Sequence, residues 1–423
     1  MNVVGIATND LRGGAARAAY RLHTGLCDAG ISATMLVRWK QSHDASVTQL
    51  PESWFGAELL ERERNVRQRW VRENRTTVTD TLFSLGSPSV QVAAHPAVQS
   101  ADIIHLHWVA NFLGPSSFTS LARLGKPIVW TLHDEWGYTG GCHYRAGCEL
   151  HRERCTACPQ LREDPLGLVP SLFDERRSAW HGAPLTVVGP SAWIAARAAE
   201  SAILGGAPTK VIPYGVDTDV FKPASIDDRS AFRERYDIAN EAFVVAFGVD
   251  RLGERRKGYD HLTTALELVA RRLPKAVLLR FGEGGDARVP SLPTIDLGSI
   301  SDDRTLALAY SSADCFVLPA LEDNLPNGVL ESMACGTPVI AYATGGIPEI
   351  VEHGRTGFLV PAGDTSQLGE SIVSASSAGE RLKTMGREAR GRIESEHTLA
   401  RQAARHVGLY AGILARRRSE AAA

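Results

Sequence analysis

The alternation of short apolar runs with helical segments constrains the fold of this 423-residue chain more than any other feature. In the first half, β-branched runs of strand length recur as NVVGIAT, ATMLVR, DIIHLHW, PIVWTLH and LTVVGPS, and ARAAYRLHTGL has helical spacing. The second half repeats the alternation with FVVAFGV, AVLLRFG, TIDLGSI, DCFVLP, PVIAYA and TGFLVP. Strands that alternate with helices form parallel sheets covered by helices. The sequence therefore predicts an α/β protein with two parallel sheets.

Chain length and a break in this pattern predict the domain boundaries. A chain of this size exceeds what a single core supports, and KVIPYGVDTDVFKP closes a short strand in Pro, Gly and Asp between the two sets of strands. We predict an N-terminal Rossmann-like domain at 1–218, with a cysteine-rich insert at 142–158, and a C-terminal Rossmann-like domain at 219–396. The remaining residues, 397–423, are predicted to form a helix that packs back on the N-terminal domain.

Composition excludes several classes of protein. Charged residues make up 22% of the chain and the formal net charge is −2, so the basic surface of a nucleic-acid-binding protein is not expected. The start, MNVVGIATND, lacks the features of a signal peptide, and no apolar run approaches membrane-spanning length. We interpret the chain as cytoplasmic, with no nucleic-acid partner.

Functional residues are expected in the loops that follow strands, because open parallel sheets bind ligands outside the carboxyl ends of their strands. After DCFVLP the chain reads LEDNLPNGVLESMACGTPV. Pro326 fits the first turn of a short helix, Asn324 and Asn327 are candidate caps, and Gly336 fits the left-handed residue that ends it. Backbone amides at the start of such a helix bind phosphate.

An acid lies one turn inside the same helix. Glu331 would repel a phosphate, but it suits a ribose diol, whose hydroxyls donate hydrogen bonds to an acid in dinucleotide sites. The alternative is an acid on the helix face with no ligand.

A cationic loop follows FVVAFGV, in the stretch FGVDRLGERRKGYDHL, and holds Arg251, Arg255, Arg256 and Lys257. A cation in contact with a diphosphate stabilises the charge that develops as the diphosphate leaves. The alternative is a solvated loop. Lys257 is the best placed, because Gly258 follows it at the strand-to-helix junction.

Two loops of the N-terminal half are also candidates. Gly13 and Gly14 follow the first strand, where glycine lets the backbone approach a ligand closely. His133 and Asp134 follow PIVWTL, where an imidazole and a carboxylate would face a cleft between the domains; a structural histidine is the alternative. His105 and His107 share one face of their strand, and core packing is the simpler interpretation.

Four of the seven cysteines are concentrated in CHYRAGCELHRERCTAC. Cys142, Cys148, Cys155 and Cys158 suit a closed tetrahedral zinc site, and a cytosolic compartment disfavours disulfides. The spacing is not a standard zinc pattern, so unliganded or redox-active thiols remain the alternative. In either case the insert follows His133 closely, and we expect it to support the acceptor side of the site.

The motifs together resemble a known family. GGAARAAYRL, ADIIHLHW, PIVWTLHDEWGYTGGCHY, VVGPSAW, VIPYGVDTDVFKP, RKGYDHL, GSISDDRTLALAYSSADCFVLPALEDNLPNGVLESMACGTPVIAY and GGIPEIVEHGRTGFLVP occur in the order found in glycosyltransferase family 4. The chain resembles retaining glycosyltransferases of the GT-B fold, and more narrowly the colanic acid and exopolysaccharide branch. The resemblance implies two Rossmann-like domains that face a central cleft.

The resemblance also implies roles for single residues. Glu331 matches the acid that holds the ribose, Lys257 matches the lysine that binds the diphosphate, and Arg251 and Arg256 are both candidates for its arginine partner. Asp323 stands near the transferred sugar, where a Glu is commoner, and His133 matches the histidine beside that sugar. The remaining donor contacts are expected at Gly14, Leu325, Asn327, Gly328 and Val329.

The expected activity is sugar transfer with retention, from a nucleoside diphosphate sugar to a saccharide, lipid-linked or small-molecule acceptor. No protein nucleophile and no catalytic metal are implied, and peripheral contact with the inner face of the cell membrane is compatible with a lipid-linked acceptor. The alternatives are a nucleotide-sugar 2-epimerase, which consumes donor without acceptor, and a non-catalytic nucleotide-sugar-binding subunit. A nicotinamide oxidoreductase is disfavoured, because no GxGxxG follows the first strand.

Overall fold

The computed structural model describes residues 1–51, 54, 58–86, 90–284 and 292–422. The chain divides into two compact units. Unit 1 comprises Met1–Pro213 and Ala400–Ala423, and unit 2 comprises Tyr214–Leu399. The division lies within the stretch KVIPYGVDTDVFKP, a few residues before the predicted boundary at 218.

Unit 1 is built on a seven-stranded sheet in the order β3-β2-β1-β4-β5-β6-β7, in which every pairing is parallel. Its strands are β1 (Asn2–Asn9), β2 (Ser32–Trp39), β3 (Val47–Gln49), β4 (Ile103–Leu106), β5 (Ile128–Thr131), β6 (Leu185–Gly189) and β7 (Thr209–Val211). Every residue of β4, β5 and β6 is buried, as expected for central strands covered on both faces.

Helices complete unit 1, and the last of them begins at the boundary between the units. They are α1 (Gly14–Asp28), α2 (Glu58–Glu73), α3 (Pro96–Ser100), α4 (Pro115–Arg123), α5 (Leu168–Trp180), α6 (Ala192–Ala199) and α14 (Leu399–Ala422). Within unit 1, Ala403, Tyr410 and Ile413 of α14 share a buried apolar cluster with Val3 and Ile103 of the sheet. Among the described residues, no helix combines the length and the apolar character needed to cross a membrane.

Unit 2 is built on a six-stranded parallel sheet in the order β10-β9-β8-β11-β12-β13. Its strands are β8 (Phe243–Arg251), β9 (Ala276–Glu283), β10 (Thr294–Asp296), β11 (Cys315–Leu318), β12 (Val339–Tyr342) and β13 (Gly357–Val360). Its helices are α7 (Ile226–Arg235), α8 (Tyr259–Arg272), α9 (Asp303–Ser312), α10 (Asn327–Ala334), α11 (Ile347–Ile350), α12 (Thr365–Ser377) and α13 (Glu380–Glu396). The predicted pair of parallel-sheet α/β domains is confirmed.

The strand order of each sheet reverses direction at one place. In unit 2 this switch point lies between β8 and β11, and in unit 1 it lies between β1 and β4. The crevice outside the carboxyl ends of such strands is the usual ligand site of an open parallel sheet. The loops after β8 and β11 are therefore the first place to examine in unit 2.

Candidate functional site

The loop after β11 is fixed by the loop after β12. The hydroxyl of Thr344 donates to the carbonyl of Ala320 at 2.7 Å, and the amide of Gly346 donates to the carbonyl of Asn324 at 2.8 Å. Gly345 has φ +55°, and a Cβ built there would lie 1.5 Å from the carbonyl oxygen of Asp323. Only glycine lets these two backbones approach so closely.

The loop after β8 is also hydrogen-bonded to the loop after β11. The amide of Leu321 donates to the carbonyl of Arg256 at 2.8 Å, and a guanidinium nitrogen of Arg256 donates to the carbonyl of Glu322 at 2.8 Å. Gly258 has φ +74°, and a Cβ there would lie 1.9 Å from the carbonyl oxygen of Pro319. The glycine after Lys257 is thus required by packing between the two loops.

These backbone contacts bring Asp323 to the cations of the β8 loop. Lys257 Nζ donates to Asp323 Oδ2 at 2.6 Å, and a guanidinium nitrogen of Arg256 lies 3.3 Å from the same oxygen. The other oxygen, Oδ1, accepts from the amide of Asn324 at 3.0 Å. Burial alone would raise the pKa of Asp323, but Lys257 and Arg256 together hold it below its usual value. Asp323 is therefore an ionised carboxylate that anchors two cations.

The structure also separates the two candidate arginines. Arg256 joins Asp323 and bonds Glu254 at 2.8 Å through the same guanidinium group. Arg251 is the exposed last residue of β8 and lies opposite Glu283 in the sheet register. Of the two, Arg256 is the arginine that the fold places beside Lys257.

Helix α10 begins one residue later than the sequence suggested. Pro326 occupies the N-cap position without a side-chain cap bond, so its prediction as a helical residue is wrong, and neither asparagine caps the helix. Asn327 is instead the first helical residue. Gly336 has φ +73°, as predicted for the residue that ends the helix. Proline fits the N-cap because its extended backbone directs the chain into the first turn and its missing N–H is not needed there.

The first turn of α10 combines buried and accessible positions. Leu325 and Val329 are buried, whereas Asn327 and Gly328 are partly exposed. The amide of Val329 donates to the carbonyl of Pro326 at 3.1 Å. The positive end of the helix dipole and the backbone of this turn therefore lie at the carboxyl end of β11, where an anion would be stabilised.

Glu331 lies one turn further into α10 and is only 3% exposed. Its Oε2 accepts a hydrogen bond from the hydroxyl of Tyr310 at 3.2 Å. Glu331 therefore does not lie on a solvated face of the helix. The structure thus brings Lys257, Arg256, Asp323 and Glu331 to the end of unit 2 where β8 and β11 finish.

The glycine loop of unit 1 follows β1. Gly13 is the N-cap of α1 with φ +90°, and Gly14 is the first helical residue. The backbone conformation therefore favours glycine at Gly13.

His133 follows β5 and belongs to a row of buried imidazoles. Its Nε2 lies 3.1 Å from Nδ1 of His107, whose ring centroid is 4.1 Å from that of His105. His105 in turn contacts the hydroxyl of Tyr410 at 2.7 Å and that of Thr131 at 2.8 Å. Burial lowers the pKa of His133 to about 4, although Asp134 acts in the opposite direction. His133 is therefore a neutral imidazole at pH 7.

The carboxylate of Asp134 is held by hydrogen bonds within unit 1. Its Oδ2 accepts from Trp108 Nε1 and from His143 Nδ1, both at 2.6 Å, and its Oδ1 accepts from the amide of Trp136 at 3.0 Å. His143 extends this chain to the hydroxyl of Ser84 at 2.9 Å. These bonds fix the Asp134 carboxylate within unit 1, and its side chain is 13% exposed.

The cysteine-rich insert is fixed by a buried ion pair. Arg145 Nε donates to Glu135 Oε1 at 2.7 Å, and Tyr138 donates to the same oxygen at 2.8 Å. A Cβ built at Gly140 would lie 3.0 Å from that of Cys155, so the backbone just before the insert packs closely against Cys155.

The four thiols of the insert are the candidate zinc ligands. Across the part of the chain that the structure describes, no three His, Cys, Asp or Glu side chains are grouped so that they could hold a metal ion. Burial raises the pKa of Cys155 to about 11, and it also raises the pKa of Cys142 and of Cys158 above the usual value. The grouping of the described side chains therefore does not support zinc at Cys142, Cys148, Cys155 and Cys158.

Sequence reasoning missed several residues of these sites. Tyr310, in ALAYSSADC, carries no motif signal, because its role depends on a contact with Glu331 that only the packing of α9 on α10 creates. Asp10 is fully buried and accepts from the amides of Gln41 and Ser42, which joins the loops after β1 and β2. An acid directly after a strand was the available signal for Asp10.

Two family models match the chain. The model described as Glycosyltransferase Family 4 matches residues 12–220, and the model described as Glycosyl transferases group 1 matches residues 243–377.

Curated relatives match part of the chain. D-inositol 3-phosphate glycosyltransferase of Segniliparus rotundus is 33% identical over 189 residues, which cover 42% of this chain and 41% of that protein. GDP-mannose-dependent alpha-(1-6)-phosphatidylinositol monomannoside mannosyltransferase of Mycolicibacterium smegmatis is 32% identical over 190 residues, which cover 41% of this chain and 49% of that protein. Each match thus spans less than half of the relative's own length.

Solved structures match nearly the whole chain. Sucrose-phosphate synthase from Thermosynechococcus elongatus aligns with TM-score 0.66 and 19% identity, over 98% of this chain and 100% of that one. Alr3699/HepE from Anabaena, solved with UDP and glucose, aligns with TM-score 0.67 and 18% identity, over 97% and 100%. At these identities the likeness concerns the fold. The chain therefore has the GT-B fold and carries a Glycosyltransferase Family 4 domain at residues 12–220 and a Glycosyl transferases group 1 domain at residues 243–377.

Proposed function

We propose that the protein is a retaining glycosyltransferase that moves a sugar from a nucleoside diphosphate sugar to a saccharide, lipid-linked or small-molecule acceptor. The observation that carries the proposal is the cluster at the carboxyl ends of β8 and β11. There Lys257 and Arg256 meet on Asp323 beside the start of α10, and Glu331 is buried one turn further along. A nucleoside diphosphate needs cations and amides for its phosphates and an acceptor for its ribose, and this cluster supplies both.

Donor binding is assigned to unit 2. Lys257 and Arg256 neutralise the diphosphate, and the segment that leads into and opens α10, at Leu325, Asn327, Gly328 and Val329, lies against it with its backbone and the positive end of the helix dipole. Glu331 accepts hydrogen bonds from the ribose hydroxyls. Asp323 keeps both cations in place through bonds that already exist in the structure.

Catalysis of the sugar transfer is assigned to charge stabilisation and to orientation of the reactants. The bond between the anomeric carbon and the diphosphate oxygen breaks, the bond to the acceptor oxygen forms on the same face, and the acceptor proton passes to the departing diphosphate. Lys257 and Arg256 stabilise the negative charge that develops on that diphosphate. His133 and the backbone at Gly14 are assigned to the donor sugar and phosphates on the strength of the family resemblance. A neutral imidazole such as that of His133 orients a sugar hydroxyl without adding charge.

We assign the acceptor to the molecules that polysaccharide or glycoconjugate biosynthesis extends. One similar protein is named for transfer to a phosphatidylinositol mannoside and another for transfer to an inositol phosphate, so lipid-linked and soluble polyol acceptors are the first to test. A lipid-linked acceptor would place the protein at the inner face of the cell membrane.

The test is product analysis with UDP- and GDP-sugars, each with and without a mixture of saccharide, inositol phosphate and lipid-linked acceptors. The proposal predicts release of nucleoside diphosphate and a new glycoside only when acceptor is present, with the anomeric configuration of the donor preserved in the NMR spectrum. Donor consumption with a 2-epimerised sugar and no acceptor would identify an epimerase. Binding without turnover in every mixture would identify a non-catalytic subunit.

A further inference from the structure

Tyr310 is a fully buried residue of α9 whose hydroxyl reaches the proposed donor site. Its side chain is 2% exposed, and its ring meets those of Phe281 and Phe316 edge to face, with centroids 5.4 and 5.3 Å away. The hydroxyl donates to Oε2 of Glu331 at 3.2 Å. A phenol in this apolar setting keeps its proton at neutral pH and acts as a hydrogen-bond donor.

The position of that hydroxyl is determined at both ends of the residue. The carbonyl of Tyr310 accepts from the hydroxyl of Thr337 at 2.8 Å, which ties it to the chain just after α10. At the other end, a Cβ built at Gly328 would lie 3.0 Å from the Tyr310 oxygen. Gly328 thus leaves the space that the hydroxyl occupies beneath the first turn of α10. Tyr310 thus joins α9 to α10 through one hydrogen bond and to the chain just after α10 through another.

A buried carboxylate gains from a fixed donor in two ways. Glutamate has three side-chain torsions, and holding one oxygen restricts them before a ligand arrives, so less entropy is lost on binding. A hydrogen bond to an ionised group also offsets part of the cost of removing the carboxylate from water.

We propose that Tyr310 is a positioning residue that orients the Glu331 carboxylate toward the ribose diol of the donor nucleotide. The inference rests on the proposed function and deepens it, because it assigns the geometry of ribose recognition to a residue outside the loops that touch the donor.

The experiment measures how strongly Tyr310 is coupled to the ribose hydroxyls. UDP and GDP, and their 2′,3′-dideoxy forms, are titrated into wild-type protein, Tyr310→Phe and Tyr342→Phe by calorimetry. Tyr310→Phe removes one oxygen and keeps the packed ring. Tyr342→Phe is the matched control, because Tyr342 is also fully buried in unit 2 and its hydroxyl contacts Nδ1 of His261 at 3.1 Å, away from Glu331. Melting temperatures of all three proteins verify that they fold.

Wild type is expected to bind the ribonucleotide roughly tenfold or more tightly than its dideoxy form, since the diol donates to a carboxylate. Tyr310→Phe should lose several-fold affinity for the ribonucleotide and none for the dideoxy form, so that the discrimination shrinks, while Tyr342→Phe should keep the wild-type ratio. If wild type discriminates and Tyr310→Phe discriminates equally well, the inference about Tyr310 is wrong and the proposed function stands. If wild type binds neither nucleotide, or does not discriminate, the proposed ribose role of Glu331 fails, and the inference fails with it.

Discussion

Replacing Asp323 by Asn tests whether this carboxylate anchors the two cations of the donor site. Asparagine keeps the size of the side chain but removes the charge that Lys257 Nζ meets at 2.6 Å and Arg256 meets at 3.3 Å. In the variant, the positive charges of Lys257 and Arg256 lie close together without the negative charge of Asp323. We expect unit 2 to lose stability and the cations to lose their fixed positions.

The size of the loss follows from burial. Removing one partner of a buried ion pair costs about 3–5 kcal/mol. Two features reduce this cost, because the Lys257 side chain is 16% exposed and Arg256 keeps Glu254 at 2.8 Å. We therefore expect about 2–3 kcal/mol. For a unit of this size, that corresponds to a fall of roughly 4–12 °C in melting temperature.

The assay is calorimetric unfolding between pH 5 and pH 8. The pKa of Asp323 is lowered in the folded protein, so the stability it provides is present above its unfolded value of 3.8 and is lost only as the pH falls through the still lower folded value. The difference between wild type and Asp323→Asn should therefore be constant across this range.

A matched control separates burial from the presence of an ion pair. Glu380→Gln breaks a bond to Lys383 of the same 2.6 Å length, in the same unit, but its side chains are 77% and 69% exposed. This variant should leave the melting temperature unchanged. Equal melting temperatures for Asp323→Asn and Glu380→Gln would refute the reasoning.

Three further predictions concern the donor site and unit 1. Glu331→Ala should severely weaken nucleotide binding, whereas Lys257→Ala should mainly slow turnover; unchanged calorimetric affinity in the first variant would contradict the diol assignment. Burial lowers the pKa of His133 and of His406 to about 4, so below pH 6.5 the unfolded chain takes up protons that the folded chain does not. Stability should then fall between pH 6.5 and 4, by up to about 3 kcal/mol for each histidine, and stability that stays constant from pH 7 to 5 would contradict this. Because burial raises the pKa of Cys155 to about 11, this thiol should react with thiol reagents at pH 8 only after unfolding; release of one zinc ion on labelling would restore the zinc hypothesis.

The sequence predicted the sheets well because their signal is local. Apart from Asp314, the runs DCFVLP and PVIAYA are apolar, as the central residues of fully buried parallel strands must be, so β11 and β12 follow from short windows. The left-handed residue predicted at Gly336 was similarly readable and is confirmed by its positive φ. The start of α10 was misplaced by one residue, because proline fits both the N-cap and the first helical position.

The contacts of the candidate site depend on residues far apart in the chain. Lys257 and Asp323 are separated by 66 positions, and their pairing follows from the adjacency of β8 and β11, which no local pattern reveals. The hydrogen bonds that Asp134 accepts from Trp108 and His143 likewise depend on the fold of unit 1, and no local pattern predicts them. Tyr310 has no signal in the sequence, because its hydroxyl matters only through the packing of α9 on α10.

The most direct test of the account is a structure of the protein with its bound donor nucleotide. The account predicts the diphosphate within hydrogen-bond distance of Lys257 Nζ and of the backbone amides in the first turn of α10, with the ribose hydroxyls on the carboxylate of Glu331. A nucleotide bound away from both Lys257 and Glu331 would contradict it.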